Sequence, residues 1–501
     1  MRYKLAATLT AAALLLGGGM ASAQTVVRIG LNDDPDSIDP ALSQAFVTRL
    51  VLTTFCEKLF DITSDLKIVP RLAESYEWSP DGKQLTLKLR PNLVFHDGEP
   101  LDSEAVKYNF ERNMTIEGSF RRAELEGITS IEVVDPVTLR INLAEPSAPL
   151  ISILADRAGM MVSPKVAKEL GADFGTKPTC AGPFKFVSRV PQGRIIFEKF
   201  PEYWDAENIH IDRVEMLAVN DPTVRLSNLQ SGEFEIIERL SPTDVKRVES
   251  DSTLKLAKAP DIGYGYMQFN VGNGPRSEKM KDQRIREAID LSLDREALVN
   301  VAFEGLYAPG GQSIAPGSYF YDESRPTPKR DVERAKQLLK EAGQENFTFE
   351  MLVRPDRDFQ VPAQVMQAMM AEAGINMVIN TTENVTQLEA ARQGNFEAYI
   401  SFWSGRVDPD GNTYNFYVCG APNNRMGYCN EQVDELLKAA RAELDPAKRK
   451  ELYKQAMDIK DHDRPDLSLW HRQLFAATRA NVDGFALYPD GLVRLQGVKI
   501  N

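Results

Sequence analysis

The segment 332–403 carries the reading that decides the fold: VERAKQLLKEAG (332–343), FTFEMLV (347–353), AQVMQAMMAEAG (363–374), INMVI (375–379), LEAARQ (388–393) and AYISFW (398–403). Val332, Ala335, Leu338, Leu339 and Ala342 recur at helical spacing, with Gly343 as the stop, and the run Phe347 to Val353 is strand-like. The pattern then repeats: helix from Ala363 to Ala373 with Gly374 as its C-terminal signal, strand from Ile375 to Ile379, helix from Leu388 to Gln393, strand from Ala398 to Trp403. Such a succession predicts an α/β fold with a mainly parallel sheet layered by helices. Working outward, Asn430 is placed to cap a helix carrying Val433, Leu436, Leu437 and Ala440, and Asp445-Pro446 opens another that Pro465 closes. Upstream the chain is richer in strands. Val27, Ile29 and Leu31 alternate before the turn Asn32-Asp33-Asp34-Pro35, Leu85, Leu87 and Leu89 alternate again, and residues 131–143 read as a hairpin around Asp135-Pro136.

With 501 residues, 43% hydrophobic and 26% charged, the composition is globular and the length suits about three structural lobes at ~150 residues each. Arg2 and Lys4 precede the apolar run Leu5 to Leu16, and Ala21-Ser22-Ala23 gives the small-x-small pattern of a signal-peptidase site. A signal peptide at 1–23 is therefore expected, with a mature, exported, periplasmic chain from Gln24. No Cys stands at the cleavage site, so no lipid anchor is expected. Removing that segment takes away two basic residues, leaving 57 Lys+Arg against 72 Asp+Glu, a net charge of −15. That balance, with no basic-aromatic run, argues against a nucleic-acid partner. Four cysteines in an oxidising compartment favour disulfides, with three pairings open. The short loop between Cys419 and Cys429, rich in Gly, Pro and Asn, favours that pair and leaves Cys56 with Cys180. The spacings are not those of a zinc knuckle and only four His occur, so neither a metal nor another cofactor is expected.

Four stretches share one resemblance. The first is Pro70-Arg71-Leu72-Ala73-Glu74-Ser75 with Trp78-Ser79-Pro80-Asp81-Gly82-Lys83, running into Leu89-Arg90 and Phe95-His96-Asp97-Gly98-Glu99-Pro100-Leu101. The second is Ala181-Gly182-Pro183-Phe184 followed by Pro201-Glu202-Tyr203-Trp204 and by Arg225 to Glu233. Phe269-Asn270 with Arg284 to Ile289 and Asp294-Arg295 form the third, and Trp403 to Pro409 the fourth. Together they resemble the periplasmic solute-binding proteins of ABC importers, family 5, which serve oligopeptides, dipeptides and nickel. Most of these motif residues supply turns and identify the fold without touching a ligand; His96 is such a turn histidine. The resemblance implies a two-lobe periplasmic binding protein, type II in its large variant with an inserted subdomain, closing around a solute held in the cleft. The expected division is lobe Ia at 24–55, 181–269 and 475–501, an inserted lobe Ib at 56–180 that brings Cys56 and Cys180 together, and lobe II at 270–474.

In that family the solute meets the loop after a lobe II strand, here Trp403-Ser404-Gly405-Arg406-Val407-Asp408-Pro409-Asp410-Gly411-Asn412. Dipeptide binders place an aspartate for the peptide amine soon after the Gly, where this chain has Arg406; Asp408 or Asp410 is its expected counterpart. For the peptide carboxylate the resemblance points to Arg357, although its spacing from the Arg354-Pro355 turn is off by several residues. Arg406 is expected to anchor an anionic group. Trp403 is expected on the cleft wall, with Tyr264 and Tyr266 opposite, and Asn270 is expected to fix the crossing segment by hydrogen bonds. The function implied is a receptor that captures a peptide or peptide-like solute and delivers it, as a monomer, to an inner-membrane ABC permease. The alternative is a receptor for an anionic non-peptide solute, opine-like or a sugar phosphate, or for a metal chelate. An enzyme is not expected, since no G-x-S-x-G or H-E-x-x-H occurs and the four His lie in unrelated contexts.

Overall fold

The computed structural model describes residues 24–501; the expected signal peptide lies outside them. Two large sheets organise the chain. The seven-stranded sheet has the order Leu254–Pro260, Gln473–Arg479, Ile236–Ile237, Val26–Leu31, Arg213–Ala218, Arg194–Lys199, Phe184–Arg189. Val26–Leu31 is its centre, with Val27, Ile29 and Leu31 buried as their alternation requires. The six-stranded sheet has the order Ala308–Pro309, Asp466–His471, Tyr264–Phe269, Ala398–Trp403, Thr348–Val353, Asn376–Thr381. A four-stranded antiparallel sheet, built from Ala73–Trp78, Gln84–Leu89, Ile128–Asp135 and Thr138–Leu143, lies wholly between Cys56 and Cys180. Each sheet has its own core, around Val27, Phe55 and Phe197, around Met351, Met366 and Leu469, and around Leu87, Phe110 and Ile141 respectively. Among the described residues no helix is long and apolar enough to cross a membrane.

The expected elements of 332–403 are present, with two corrections. The helix expected from Ala363 begins at Arg357 and contains Pro362; at its sixth position the proline forfeits one intrahelical bond without breaking the helix. The sheet is mixed rather than mainly parallel. Thr348–Val353 runs parallel to both neighbours because helical crossovers join those strands, but Tyr264–Phe269 pairs antiparallel with Ala398–Trp403 and with Asp466–His471. These two strands are the chain's entry to and exit from the sheet. The crossings therefore fall at Asp261-Ile262-Gly263 and at Arg472, ahead of the boundaries expected at Asn270 and Phe475. Helix caps are as the sequence implied: Asn430 accepts from the N–H groups of Gln432 and Val433, and Asp445 from those of Ala447 and Lys448.

The two crossings are tied to each other. Arg472 Nε donates to Asp261 Oδ2 at 2.8 Å, and the Asp261 N–H donates to the Arg472 carbonyl at 3.2 Å. Burial pushes the Asp261 carboxyl up and Arg472 opposes it. The inserted unit is bolted to the seven-stranded lobe by buried ion pairs, Arg112 with Asp39 and Arg494 with Asp61 and Asp490, and by the disulfide Cys56–Cys180 with Cα atoms 4.9 Å apart. A second disulfide joins Cys419 to Cys429, Cα atoms 4.7 Å apart.

At the meeting point of the three units stands one buried carboxylate. Asp156 Oδ1 accepts from Arg49 Nε of the seven-stranded lobe at 2.9 Å, and Asp156 Oδ2 lies 2.7 Å from Arg406 Nε of the six-stranded lobe. Arg157, its own neighbour, has Nε 3.9 Å away. Burial alone raises Asp156, but Arg49, Arg406 and Arg157 together hold it well below the usual carboxylate range. The same burial draws Arg406 down to about 10 and Arg157 to about 9, so all three stay charged at neutral pH. Asp156→Asn leaves these guanidiniums without their counterion and is expected to cost about 3–5 kcal/mol in urea unfolding. Arg406→Ala spares the Arg49 pair; its expected effect is a more open molecule, read as a larger radius of gyration in solution scattering. Of the two disulfides, Cys56–Cys180 closes the far longer loop, 124 residues against 10. On loop entropy, Cys56→Ala with Cys180→Ala is expected to cost about 4–5 kcal/mol, and the matching pair at 419 and 429 about 3 kcal/mol or less, compared by calorimetric melting.

Candidate functional site

The strand Ala398–Trp403 ends at the cleft, and the loop that follows is shaped by its approach to the first crossing. Gly405 has φ of +71°, and a Cβ there would lie 2.2 Å from the Ile262 carbonyl oxygen, so only glycine fits. Asn412 pins the rest: its Oδ1 accepts from Trp403 Nε1 and from the Arg406 N–H, both at 2.8 Å, while its Nδ2 donates to the Arg406 carbonyl at 3.0 Å. Trp403 is thereby held edge-on to Phe416, ring centroids 4.8 Å apart, with the Arg406 guanidinium 4.6 Å over its ring.

Between the lobes lies a cavity of about 160 Å³, adjoining a larger chamber of about 940 Å³. Asn32, Asp33, Phe46, Arg239, Arg354 and Phe402 border both. Of the residues expected in the site, Trp403, Arg406, Asp408, Asp410 and Tyr266 line the smaller cavity. Arg357 is exposed and borders only the larger chamber. Tyr264 borders neither; it is fully buried in a cluster with Tyr266 and Tyr399, which corrects its expected place on the wall.

The chemistry differs from the expectation at three of these residues. Asp408 takes a fork from Arg449, two contacts of 2.6 Å, and Asp410 takes one from Arg441 at 2.9 and 2.7 Å. Both carboxylates are committed to arginines of their own lobe and are not free for an amine. Arg406, expected to wait for a solute anion, is held by Asp156.

Other residues, not expected in the site from the sequence, also line the cavity. Asp33 borders both chambers with no cation within 4 Å among the described residues; burial pushes its carboxyl up, and its one hydrogen bond is from the Asp34 N–H at 2.9 Å. Arg239 occupies the left-handed region at φ +50°, a strained setting for a side chain other than glycine. Its guanidinium lies 4.1 Å over the Phe46 ring, Glu238 is no nearer than 3.5 Å, and burial lowers it to about 10. Altogether seven arginines and five carboxylates line the smaller cavity. Arg354 stands at the Arg-Pro turn where the resemblance sought a carboxylate-binding arginine, its Nε 3.0 Å from Asp356. Only this last position had a signal in the sequence, the turn itself.

Comparison with known proteins agrees with this architecture. The sequence profile of the bacterial extracellular solute-binding proteins, family 5 (middle), matches residues 67–424. The glutathione-binding protein GsiB of Salmonella paratyphi A is 30% identical over 487 residues, covering 94% of this chain and 93% of its own. GsiB of Escherichia coli is 30% identical over 497 residues, covering 96% and 95%. Among solved structures, the periplasmic binding protein AgaA of A. tumefaciens in complex with agropinic acid superposes with a TM-score of 0.87 at 28% identity, covering 95% of this chain and 99% of its own. DppA of Helicobacter pylori, in complex with the peptide STSA, shares the fold with a TM-score of 0.88 at 23% identity, covering 95% and 98%. With a profile spanning most of the chain and full-length relatives at this identity, the chain belongs to the bacterial extracellular solute-binding proteins of family 5.

Proposed function

We propose that the protein is the extracytoplasmic receptor of an ABC importer for a small peptide-like solute with more carboxylates than amines, the class that includes glutathione and opine conjugates. The observation that carries this is the charge inventory of the cleft. Asp408, Asp410, Asp156 and Glu124 are each paired with an arginine, which leaves Asp33 as the one lining carboxylate without a cation against a majority of guanidiniums. A neutral dipeptide zwitterion offers one charge of each sign, whereas a dicarboxylate with one amine meets Asp33, Arg425 and, as a second cation, Arg239, whose nearest carboxylate Glu238 stands 3.5 Å away. The glutathione- and agropinic-acid-binding relatives support the same class.

In this reading the solute acts by differential affinity for the closed state, in which Arg406 reaches Asp156 and the Ala148 N–H reaches the Arg441 carbonyl at 3.0 Å. No bond in the solute is made or broken. The closed monomer, exported to the periplasm without a lipid anchor, hands the solute to its permease. Isothermal titration with S-methylglutathione, agropinic acid, Ala-Ala and Ala-Lys tests the proposal. The expected order places one of the two net-anionic probes at least about tenfold ahead of both dipeptides, a margin of one charge-assisted hydrogen bond. Tightest binding by Ala-Lys, or by Ala-Ala, overturns it.

A further inference from the structure

Of the seven arginines lining the smaller cavity, six have a carboxylate within 4 Å: Arg121, Arg157, Arg239, Arg354, Arg406 and Arg441. Arg425 has none among the described residues; its side chain is set against the Tyr399 hydroxyl instead. It is half-buried, beside Tyr266 and Tyr399, whose hydroxyls burial pushes up and the nearby guanidinium draws back. An unpaired cation facing a cleft is ordinary when its backbone is loose. Here the backbone is clamped on both sides.

Arg425 sits inside the loop closed by Cys419–Cys429. Within it, Asn424 Nδ2 donates to the carbonyls of Val418 and Tyr428 at 2.9 and 2.6 Å, and the Tyr428 N–H returns a bond to Asn424 Oδ1 at 3.1 Å. From outside, the N–H groups of Val271 and Gly272 donate to the Met426 carbonyl at 2.9 and 3.0 Å, and Asn273 Nδ2 donates to the Arg425 carbonyl at 3.0 Å. Asn270 holds that outer strap as expected, donating to the carbonyls of Asn273, Gly394 and Phe396. The loop thus meets the strap through the carbonyls of Arg425 and Met426, while Pro422, Asn423 and Arg425 border the cavity.

We infer that Arg425 is the principal anion-binding residue of the cleft and that the Cys419–Cys429 loop is its positioning element. A guanidinium recognises a carboxylate through a planar fork of donors, and its contribution grows when the fork is preorganised and has no internal carboxylate as competitor. Arg425 alone on this wall meets both conditions. This assigns the short disulfide a role in affinity beyond stability, and it rests on the carboxylate-rich reading proposed above.

The test is titration of the full mature chain with S-methylglutathione, which keeps two carboxylates and one amine but has no thiol to attack the disulfide. Arg425→Ala and Arg425→Gln are expected to weaken binding about thirtyfold or more, and Arg425→Lys, which keeps charge without the fork, about tenfold. Cys419→Ser with Cys429→Ser, assayed below its melting temperature, is expected to weaken binding about fivefold, and to weaken the Arg425→Ala background hardly at all, since coupled residues are not additive. Wild-type affinity in Arg425→Ala and Arg425→Gln overturns the assignment while leaving the carboxylate reading in place. A cysteine-pair effect of full size in the Arg425→Ala background overturns the positioning role. If the wild-type chain binds neither S-methylglutathione nor agropinic acid, the proposed function itself fails and this assignment with it.

Discussion

Among the described residues, Asp156 is the only carboxylate in contact with arginines from all three units, and the closed arrangement depends on it. Arg49 comes from the helix Phe46–Phe55, Arg157 from the inserted unit, and Arg406 from the loop after the strand Ala398–Trp403. Three guanidiniums around one buried carboxylate form an assembly in which each cation is stabilised by Asp156 and destabilised by its fellows. Such a cluster tolerates loss of one arm and not loss of its centre. It also gives the lobes a contact that forms only when they meet. Opening the cleft must hydrate Arg406 and leave Asp156 with Arg49 and Arg157, so the ion pair biases the two-lobe equilibrium without locking it.

The same residue explains why the cleft differs from that of a dipeptide receptor. Where the family resemblance calls for an amine-binding aspartate, Arg406 points across the cleft to a carboxylate in the other lobe. The two acids farther along the loop cannot replace that aspartate because Arg449 and Arg441 already occupy them in forks. Each pair neutralises itself, and the recognition chemistry passes to the residues left over: Asp33 on one wall and Arg425 on the other. Buried pairs of this kind contribute little net stability, but they fix side-chain positions and remove charge from contention.

What was legible in the sequence was what is local. Ala398–Trp403 was read to the residue because a run of apolar and aromatic side chains is bounded by turn residues, and Asn430 and Asp445 announce their helices because a cap acts two or three positions away. The four motif stretches made the two-lobe fold legible, turn by turn. The direction of the sheet was misread because the strands that make it mixed, Tyr264–Phe269 and Asp466–His471, lie far along the chain from Ala398–Trp403. In the candidate site, Trp403 and Tyr266 line the smaller cavity. Nothing local in the sequence marks Asp408 and Asp410 as paired, because their partners lie 41 and 31 residues onward, on two different helices. Asp33, Arg239 and Arg425 carry no pattern at all. They are distinguished by the missing or distant partner, a property that exists only once every other arginine and carboxylate has been paired in three dimensions.

The hinge completes the argument about how a cationic cleft can close. Arg472 lies 3.1 Å over the Phe402 ring while its Nε bonds Asp261, and Arg239 approaches the same ring at 5.9 Å. Phe402 thus has two guanidiniums near its ring, and its π system attracts both. Asp261 offsets one of them and Glu238, at 3.5 Å, partly offsets the other. On lobe closure the water that screens Arg239, Arg354 and Arg425 from one another is reduced, so an empty closed cleft is electrostatically costly. A solute carboxylate removes that cost at the moment it is bound. The repulsion among these arginines therefore acts against closure without cargo, and the Asp156–Arg406 pair acts for closure once the cargo is in place.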